Sequence, residues 1–316
     1  MNIKVAHLYY DLMNLYGESG NVKALKMQLE GQGIKTAIKF LTIDDDLNFK
    51  DYDIVYIGSG TENNQKIVLN HLLKYKKDIE DAIEKAEPDF SVRRGFTSQI
   101  IIDHVKSRDD VTIDNVDEAL KRAVDNKVKT LVIQPTHLMN GLEYTDLKNE
   151  LAGYSDSFEK IALGEPLLTS DDDFQKVMNA IVDATKEYDD GETAICFMGH
   201  GTEADSNAVY AKMQDMLASE GYEHYYVGTV EAEPSLEDVI AKVKEGEYKK
   251  VVLEPLMIVA GDHANNDMAG DEDGSWKKEF EKAGYDVTCL VRGLGELEPI
   301  QQLFTEHAQA AIDSLK

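Results

Sequence analysis

The sequence predicts an α/β fold in which two similar halves, each built on a parallel sheet, face each other across a cleft. Short segments of aliphatic and β-branched residues alternate with helical segments, which is typical of strands buried on both faces of a parallel sheet. Several motifs also occur twice and in the same order, which indicates an internal repeat. Ligands bind beyond the carboxyl ends of the strands in such sheets. The polar loop that follows the apolar run at residues 251–259 is therefore our candidate active site.

Three pairs of motifs indicate the repeat. They are a G-x-G-T-E turn at residues 58–62 and 199–203, a Gln-Pro or Glu-Pro pair followed by glycine at residues 134–141 and 254–261, and Leu-Gly-Glu at residues 163–165 and 294–296. We expect two superpositions, of residues 54–62 on 195–203 and of residues 129–141 on 249–261. The repeat also predicts two domains, residues 1–188 and residues 189–316.

The expected elements follow the chain in a regular order. Residues 3–10 are expected to form a strand, followed by a helix closed by glycine and by an alternating strand at residues 34–43. Residues 54–60 then give a strand and a glycine turn before a helix that starts near Asn64. Further parallel strands are expected near residues 91–95, 129–134, 160–163, 193–198, 224–229, 250–255 and 286–291, with helices between them.

Composition excludes several classes of function. A chain of 316 residues is long enough for two domains with separate cores. Its formal net charge of −27 would repel nucleic acid. No apolar run approaches the roughly 20 residues of a membrane-spanning helix, and the chain starts on a strand-like segment without a signal peptide. We therefore expect a cytoplasmic protein with neither nucleic acid nor membrane as a partner.

The beginning of the chain resembles one family of enzymes. VAHLYYDLMNLYGESGNVKALK and YIGSGTENNQ are similar to the GatD-type glutamine amidotransferase subunit, which works with MurT in amidating lipid II. The resemblance extends over about residues 1–77. A nucleophilic cysteine should follow this segment in that family, but the first cysteine here is Cys196. We therefore expect no glutaminase role.

The remainder of the chain, from about Asp78, resembles a second family. Its motifs are VRRGFTSQIII, QPTHLMNGLEY, LGEPLL, FMGHGTE, VGTVEAEPSLEDVI, EPLMIVAGDHANNDMAGDEDGSW and GLGE. They are similar to the anaerobic sirohydrochlorin cobaltochelatases of CbiK type, which implies flavodoxin-like, chelatase-type halves. The family's first strand, which ends in Ser-Phe-Gly-Thr, is replaced here by IVYIGSGT. The chain thus resembles a chimera joined between about residues 72 and 85, whose first half is extended by an N-terminal βαβ segment.

The resemblance implies a metal site and an activity, the insertion of Co²⁺ into sirohydrochlorin in anaerobic cobalamin biosynthesis. His200, His263 and Glu231 match the two histidines and the acidic residue of the family's metal site. Insertion removes pyrrole protons, and a neutral imidazole can both bind metal and accept a proton. Two imidazoles and a carboxylate suit Co²⁺, Fe²⁺ or Ni²⁺. The expected catalytic residues are His200, His263 and Glu143, which lies in GLEY.

Each of these residues also has a plainer interpretation. His200 could be a structural histidine in a glycine turn and His263 a solvated loop residue, while Glu231 and Glu143 could be ordinary surface carboxylates in so acidic a chain. Arg93 and Arg94 are expected to bind the carboxylates of the tetrapyrrole, with surface ion pairing as the alternative. We expect His137, in the repeat position, to have a packing role.

The acidic residues around His263 do not have the spacing of a calcium-binding loop. They are Asp262, Asp267, Asp271, Glu272 and Asp273. We expect them to cap the loop or to be solvated.

Two other functions remain open at this stage. One is a non-catalytic tetrapyrrole- or metal-binding protein, since the replaced first strand could leave the site misaligned. The other is an amidotransferase-like interaction module that docks a ligase through residues 1–77. A sirohydrochlorin-type tetrapyrrole and a divalent metal are the expected partners of the chelatase, with a homo-oligomer as a further possibility.

Overall fold

A computed structural model describes residues 2–15, 19–45, 47, 52–61, 64–65, 67–68 and 79–316. The chain divides into two compact units, Met1–Lys77 and Asp78–Lys316. All the strand pairs within the described residues are parallel, so the predicted α/β class with parallel sheets is confirmed.

The first unit contains the predicted βαβ segment. It comprises strand β1 (Asn2–Leu8), helix α1 (Ser19–Gly31), strand β2 (Lys35–Leu41) and strand β3 (Ile54–Ile57), and its described sheet has the order β2-β1-β3. Gly33 has a φ of +80°, a conformation that glycine adopts without steric cost, and it turns the chain from α1 into β2. Ala6, Leu8 and Leu41 belong to the buried core of this unit. The helix predicted from near Asn64 lies largely outside the described residues.

The second unit contains two parallel sheets, one with the order β4-β5 and one with the order β7-β6-β8-β9. The strands are β4 (Thr130–Ile133), β5 (Lys160–Leu163), β6 (Thr193–Gly199), β7 (Tyr225–Thr229), β8 (Lys250–Pro255) and β9 (Asp286–Cys289). The helices are α2 (Ile79–Ala86), α3 (Gln99–Asp109), α4 (Val116–Asp125), α5 (Leu142–Ala152), α6 (Asp171–Thr185), α7 (Ala208–Ser219), α8 (Leu236–Val243), α9 (Trp276–Lys282) and α10 (Glu298–Asp313). A π-helix, His263–Met268, follows β8.

The four-stranded sheet is covered on both faces, as its apolar sequence predicts. All seven residues of β6 are buried. Its alternate residues enter two separate cores. Ile195 and Phe197 pack with residues of α6, α7 and α10, whereas Cys196 and Met198 pack with residues of α8 and α9. β6 is therefore a central, fully buried strand between β7 and β8, and the polar turns follow the ends of these strands.

Several helices begin at side-chain caps that the sequence supplies. Ser170 and Asp173 form a reciprocal capping box at the start of α6, and Ser235 and Asp238 form another at the start of α8. Each box satisfies backbone N–H groups that have no partner within the helix. The caps therefore define where these helices begin.

The two sheets of the second unit have the same pairing after their repeated motifs. β4 pairs with β5 as β8 pairs with β9. In each pair, backbone carbonyls just beyond the first strand accept hydrogen bonds of 2.8–3.0 Å from N–H groups that follow the second strand. Beyond β4 and β5, Leu167 donates to His137 and Leu168 donates to Leu138. Beyond β8 and β9, Leu294 donates to Met257 and Gly295 donates to Ile258. The repeat thus has a structural counterpart at these positions, and the predicted superpositions stay predictions.

The C-terminal helix connects the two sheets of this unit. α10 packs against α2, α6, β4 and β5 as well as contributing to the core beside β6. His307 of α10 faces the carbonyl of Glu165 at 3.1 Å and the carboxylate of Asp173 at 3.0 Å. The domain boundary at residue 188 stays a prediction.

The strand predicted at residues 91–95 is wrong, because these residues form a loop. Val92 is the single aliphatic residue in Ser-Val-Arg-Arg-Gly, so the segment has no apolar face to bury, and the other four residues are exposed. Pairing begins only at Phe96, whose N–H donates to the carbonyl of Asp114 at 3.0 Å. Arg93 and Arg94 therefore lie in a loop and not at a strand end.

Candidate metal centre

His200, Glu231 and His263 come together at one edge of the four-stranded sheet. They follow β6, β7 and β8, which are adjacent in the order β7-β6-β8. One potential ligand atom from each side chain lies within 4.8 Å of the others. The carboxyl ends of neighbouring parallel strands meet at the same edge, and this brings residues far apart in sequence to one point. The grouping predicted for the metal site is therefore present in the geometry.

Backbone hydrogen bonds hold two of these residues side by side. The N–H of Val230 donates to the carbonyl of Gly199 at 3.0 Å, and the N–H of Glu231 donates to the carbonyl of His200 at 2.9 Å. These bonds continue the pairing of β6 with β7 beyond the end of the sheet. The side chains then lie close, with Nδ1 of His200 3.6 Å from Oε2 of Glu231.

The glycines of the Gly-His-Gly motif allow this close approach. Gly201 has a φ of +88°, and a Cβ added there would lie 2.7 Å from the backbone nitrogen of Ala232. A Cβ at Gly199 would lie 2.1 Å from the buried ring of Tyr210. Side chains at either position would separate the His200 turn from its neighbours. The motif is thus explained by packing around the histidine.

The His200 ring is oriented by its own turn. Its Nδ1 lies 2.9 Å from the carbonyl oxygen of Gly201. A carbonyl oxygen can only accept, so in the neutral ring the proton is on Nδ1 and the lone pair is on Nε2. A nitrogen with a free lone pair is what a metal requires.

His263 lies at the start of the π-helix, a type of helix that occurs frequently at functional sites. Its Nδ1 is 2.6 Å from Oδ2 of Asp267, and its ring centroid is 4.6 Å from that of His200 with an interplanar angle of 87°. Ala264 and Met268 are fully buried beside these polar residues. The π-helix is therefore anchored by its apolar residues, and His263 is presented toward His200.

The two glycines of this loop differ in importance. A Cβ at Gly270 would lie 2.1 Å from the carbonyl oxygen of Asn266, so the chain passes too closely there for a side chain. A Cβ at Gly261 would meet no atom within 4 Å among the described residues, and its φ is not positive. A side chain is therefore excluded at Gly270, whereas Gly261 has room for one.

All three candidate ligands are open to an incoming molecule. The exposed fractions of their side chains are 48% for His200, 54% for Glu231 and 34% for His263. A structural metal site is closed around its ion, whereas a reactive site keeps positions open. The arrangement fits the second kind.

Glu143, Arg93 and Arg94 lie outside this group of three. Glu143 is exposed in the first turn of α5. Arg93 donates to the carbonyl of Val92 at 2.6 Å, and Nε of Arg94 donates to Glu80 at 2.8 Å. Arg94 thus takes part in the surface ion pairing that we considered as the alternative, and the binding roles of both arginines stay predictions.

His137 is partly buried, and its Nε2 lies 3.4 Å from the hydroxyl of Thr97. Burial lowers the pKa of His137, with the Glu143 carboxylate acting in the opposite direction. Its Nδ1 has no hydrogen-bond partner among the described residues. Partial burial agrees with the packing role that we expected for this histidine.

Sequence reasoning missed a contact made by one acidic residue. We expected Asp267 to cap the loop or to be solvated, but its carboxylate contacts Nδ1 of His263. The four-residue spacing between His263 and Asp267 was visible in the sequence. It carried no meaning while the segment was expected to be an irregular loop, because that spacing places two residues on one face only in a helix.

Fold and site together define an α/β protein with a candidate site for a divalent metal. Residues 54–313 match the family model described as "Cobalt chelatase (CbiK)", and the chain belongs to that family. The match begins at the first residue of β3, the strand that we expected to replace the family's own first strand.

Named relatives agree with this assignment. The sirohydrochlorin cobaltochelatase of Salmonella typhimurium is 35% identical over 226 residues, which cover 72% of this chain and 85% of that protein. Sirohydrochlorin cobaltochelatase CbiKC of Nitratidesulfovibrio vulgaris is 28% identical and covers 75% of this chain and 84% of its own length. The lipid II isoglutaminyl synthase subunit GatD of Streptococcus pneumoniae is 32% identical over 94 residues, which cover 30% of this chain and 36% of that protein. Matches to both families agree with the predicted chimera.

Solved structures include a likeness to "SirB from Bacillus subtilis with Fe3+", which covers 99% of this chain and 97% of that one at 9% identity, with a TM-score of 0.47. Across the described ranges, no helix combines the length and the apolar character needed to cross a membrane. The cytoplasmic location stays a prediction.

Proposed function

We propose that this chain is a sirohydrochlorin cobaltochelatase, which inserts Co²⁺ into sirohydrochlorin during anaerobic cobalamin biosynthesis. Membership of the cobalt chelatase family supports the reaction. The observation that carries the proposal to particular residues is the convergence of His200, Glu231 and His263, whose ligand atoms lie within 4.8 Å of one another.

These three side chains receive the metal substrate. Two imidazole nitrogens and one carboxylate oxygen bind Co²⁺ well, and they also accept Fe²⁺ and Ni²⁺, so Co²⁺ is the first choice and not the only candidate. Three protein ligands leave coordination positions for the pyrrole nitrogens of the macrocycle. The open faces of the side chains provide the route by which the macrocycle reaches the metal.

Insertion exchanges the two pyrrole protons of sirohydrochlorin for the Co²⁺ ion. As the metal passes to the macrocycle, the imidazole nitrogens of His200 and His263 are released and accept these protons. Glu143, exposed at the start of α5, then relays protons to solvent. This assigns catalytic roles to His200, His263 and Glu143 and metal-binding roles to His200, Glu231 and His263.

The polycarboxylate substrate also needs positive groups in a chain of net charge −27. Arg93 and Arg94 supply them, since a guanidinium binds a carboxylate through two hydrogen bonds. Arg94 must then exchange its contact with Glu80 for a substrate carboxylate. The cost of that exchange is small because exposed ion pairs contribute only about 0–1 kcal/mol.

The test is a Co²⁺ insertion assay on the full chain, followed through the change in the absorption spectrum of sirohydrochlorin. His200→Ala and His263→Ala are expected to lose insertion, because each removes a metal ligand and a proton acceptor. His104→Ala is the matched control, since His104 is an exposed histidine of α3 outside the group of three. Full activity in both site variants would refute the assignment. Tight Co²⁺ binding by the unmodified chain without insertion would favour the non-catalytic binding protein.

The two cysteines are poorly suited to glutaminase chemistry. Cys196 lies in β6 and Cys289 in β9, and burial raises the pKa of both thiols. A raised pKa disfavours the thiolate that glutaminase chemistry requires. Docking of a ligase through residues 1–77 and formation of a homo-oligomer stay predictions.

A further inference from the structure

We propose that Asp267 is a positioning residue, which holds the His263 ring so that Nε2 faces the metal substrate. The inference rests on the proposed function, because it assumes that His263 is a metal ligand. It goes beyond that function by adding a carboxylate that binds no metal itself. This carboxylate controls the orientation of the His263 imidazole, which binds the metal.

The contact is short and locally fixed. Oδ2 of Asp267 lies 2.6 Å from Nδ1 of His263, which is within the range of a charge-assisted hydrogen bond. The two residues are four positions apart in the π-helix, where hydrogen bonds span five residues and such neighbours share a face. Ala264 and Met268 form the equivalent pair one position later and are fully buried. The buried pair fixes the rotation of the π-helix, and this fixes the side from which the polar pair projects.

The chemistry of the contact selects one nitrogen for the metal. An ionised carboxylate can only accept, so the proton of a neutral His263 is held on Nδ1 and the lone pair is left on Nε2. A carboxylate behind a ligating imidazole also makes the other nitrogen a stronger donor to metal. Asp267 is not a member of the group of three whose ligand atoms converge.

The two histidines of the site are supported differently. Behind His200 the acceptor is the neutral carbonyl of Gly201, at 2.9 Å. Behind His263 the acceptor is a charged carboxylate, at 2.6 Å. The metal affinity of His263 therefore depends on the side chain of Asp267, whereas His200 depends only on a backbone carbonyl. This difference can be measured.

The experiment is a calorimetric titration of Co²⁺ into the full chain without tetrapyrrole. Asp267→Ala is expected to weaken Co²⁺ binding about 10- to 100-fold, the usual loss when such a partner is removed. Asp267→Asn is expected to lose less, because its amide oxygen can still accept from Nδ1. Asp262→Asn is the matched control, since it removes one exposed carboxylate next to His263 and is expected to change affinity less than about 2-fold.

A second measurement separates positioning from general stability. Nitrogen-15 spectra of the metal-free protein report which nitrogen of a neutral imidazole carries the proton. His263 is expected to carry it on Nδ1 in the unmodified chain and to be divided between both nitrogens in Asp267→Ala. If Asp267→Ala does not fold, Asp267→Asn, which matches the native volume, replaces it. Its neutral amide can present either its oxygen or its NH₂ group to Nδ1, so the proton is expected to be held on Nδ1 less completely than in the unmodified chain.

The outcomes distinguish this inference from the proposed function. If His263→Ala binds Co²⁺ as tightly as the unmodified chain, the metal site itself is wrong. If His263→Ala loses binding while Asp267→Ala keeps full affinity and an unchanged proton position, the role of Asp267 is overturned and the metal site stands. Equal losses in Asp267→Ala and Asp262→Asn would reduce the effect to surface charge and would also overturn it.

Discussion

Replacing Gly201 by alanine should damage the metal site without touching any ligand. The added Cβ would lie 2.7 Å from the backbone nitrogen of Ala232 and 3.0 Å from the Cβ atoms of Ala232 and Thr229. None of these atoms is the flexible end of a long side chain. To reach an ordinary contact distance of 3.4 Å from 2.7 Å, the turn that presents Glu231 must shift by roughly 0.7 Å. This shift exceeds the displacement of about 0.5 Å that functional constellations tolerate.

Two costs add in the Gly201→Ala protein. A side chain at a φ of +88° costs about 1–2 kcal/mol, and overpacking costs about 1–3 kcal/mol. We expect a total loss of about 2–5 kcal/mol, which corresponds to a fall in Tm of roughly 4–10 °C at about 2 °C per kcal/mol for a unit of this size. Displacement of Glu231 should also lower Co²⁺ affinity at least about 10-fold, equivalent to about 1.4 kcal/mol.

Thermal unfolding and Co²⁺ titration of the full chain test both expectations. Gly261→Ala is the matched control, because its Cβ meets no described atom within 4 Å and its φ is not positive. It should keep Co²⁺ affinity and gain up to about 1 kcal/mol through the lower entropy of its unfolded chain. The reasoning is refuted if Gly201→Ala binds Co²⁺ and unfolds as the native protein does.

Two further predictions concern buried charges, and urea unfolding across a range of pH checks both. Arg292 contacts the carboxylate of Glu254 at 2.6 Å, so Arg292→Ala should cost about 3–5 kcal/mol by leaving that buried charge unpaired. Burial raises the pKa of Glu254, and Arg292 acts in the opposite direction. Without Arg292 the folded state binds more protons, so the loss of stability in Arg292→Ala should shrink as pH falls. A loss of stability that does not depend on pH would contradict this prediction. Burial opposes ionisation of Asp173, but hydrogen bonds from Ser170 and His307 leave its pKa lowered. The contribution of Asp173 to folding stability should therefore be complete above the unfolded pKa of about 3.9 and should disappear as pH falls below that value. Asp173→Asn should therefore cost about 1–3 kcal/mol at neutral pH and less in acid, and equal losses at both would count against it.

The sequence was most informative where burial dominates. The apolar runs around Cys196 and Leu253 predicted β6 and β8 because a strand covered on both faces has to be apolar throughout. The family resemblance indicated His200, Glu231 and His263, and the order β7-β6-β8 brings the turns that carry them to one edge. The strand expected at residues 91–95 is wrong for the same physical reason, because this segment has no apolar face to bury.

Local geometry could not be predicted in the same way. The π-helix after His263 depends on the burial of Ala264 and Met268, and no sequence periodicity distinguishes one turn of π-helix from an irregular loop. Without that helix, the spacing of His263 and Asp267 had no structural meaning. Gly261 and Gly270 look alike in sequence, and only the carbonyl of Asn266 distinguishes the second of them.

The exposure of the site is consistent with a metal that is substrate. Structural metals are enclosed by four ligands, whereas the three ligands that we propose, His200, Glu231 and His263, remain 34–54% exposed. A chelatase gains nothing from binding Co²⁺ so firmly that the macrocycle cannot remove it, because only interactions that strengthen toward the transition state accelerate transfer. A site that binds Co²⁺ and then releases it needs donors that are already aligned and a coordination sphere that is incomplete. The backbone hydrogen bond from Glu231 to His200 and the Asp267 carboxylate behind His263 align the donors in advance. The open positions then leave the final coordination to the pyrrole nitrogens.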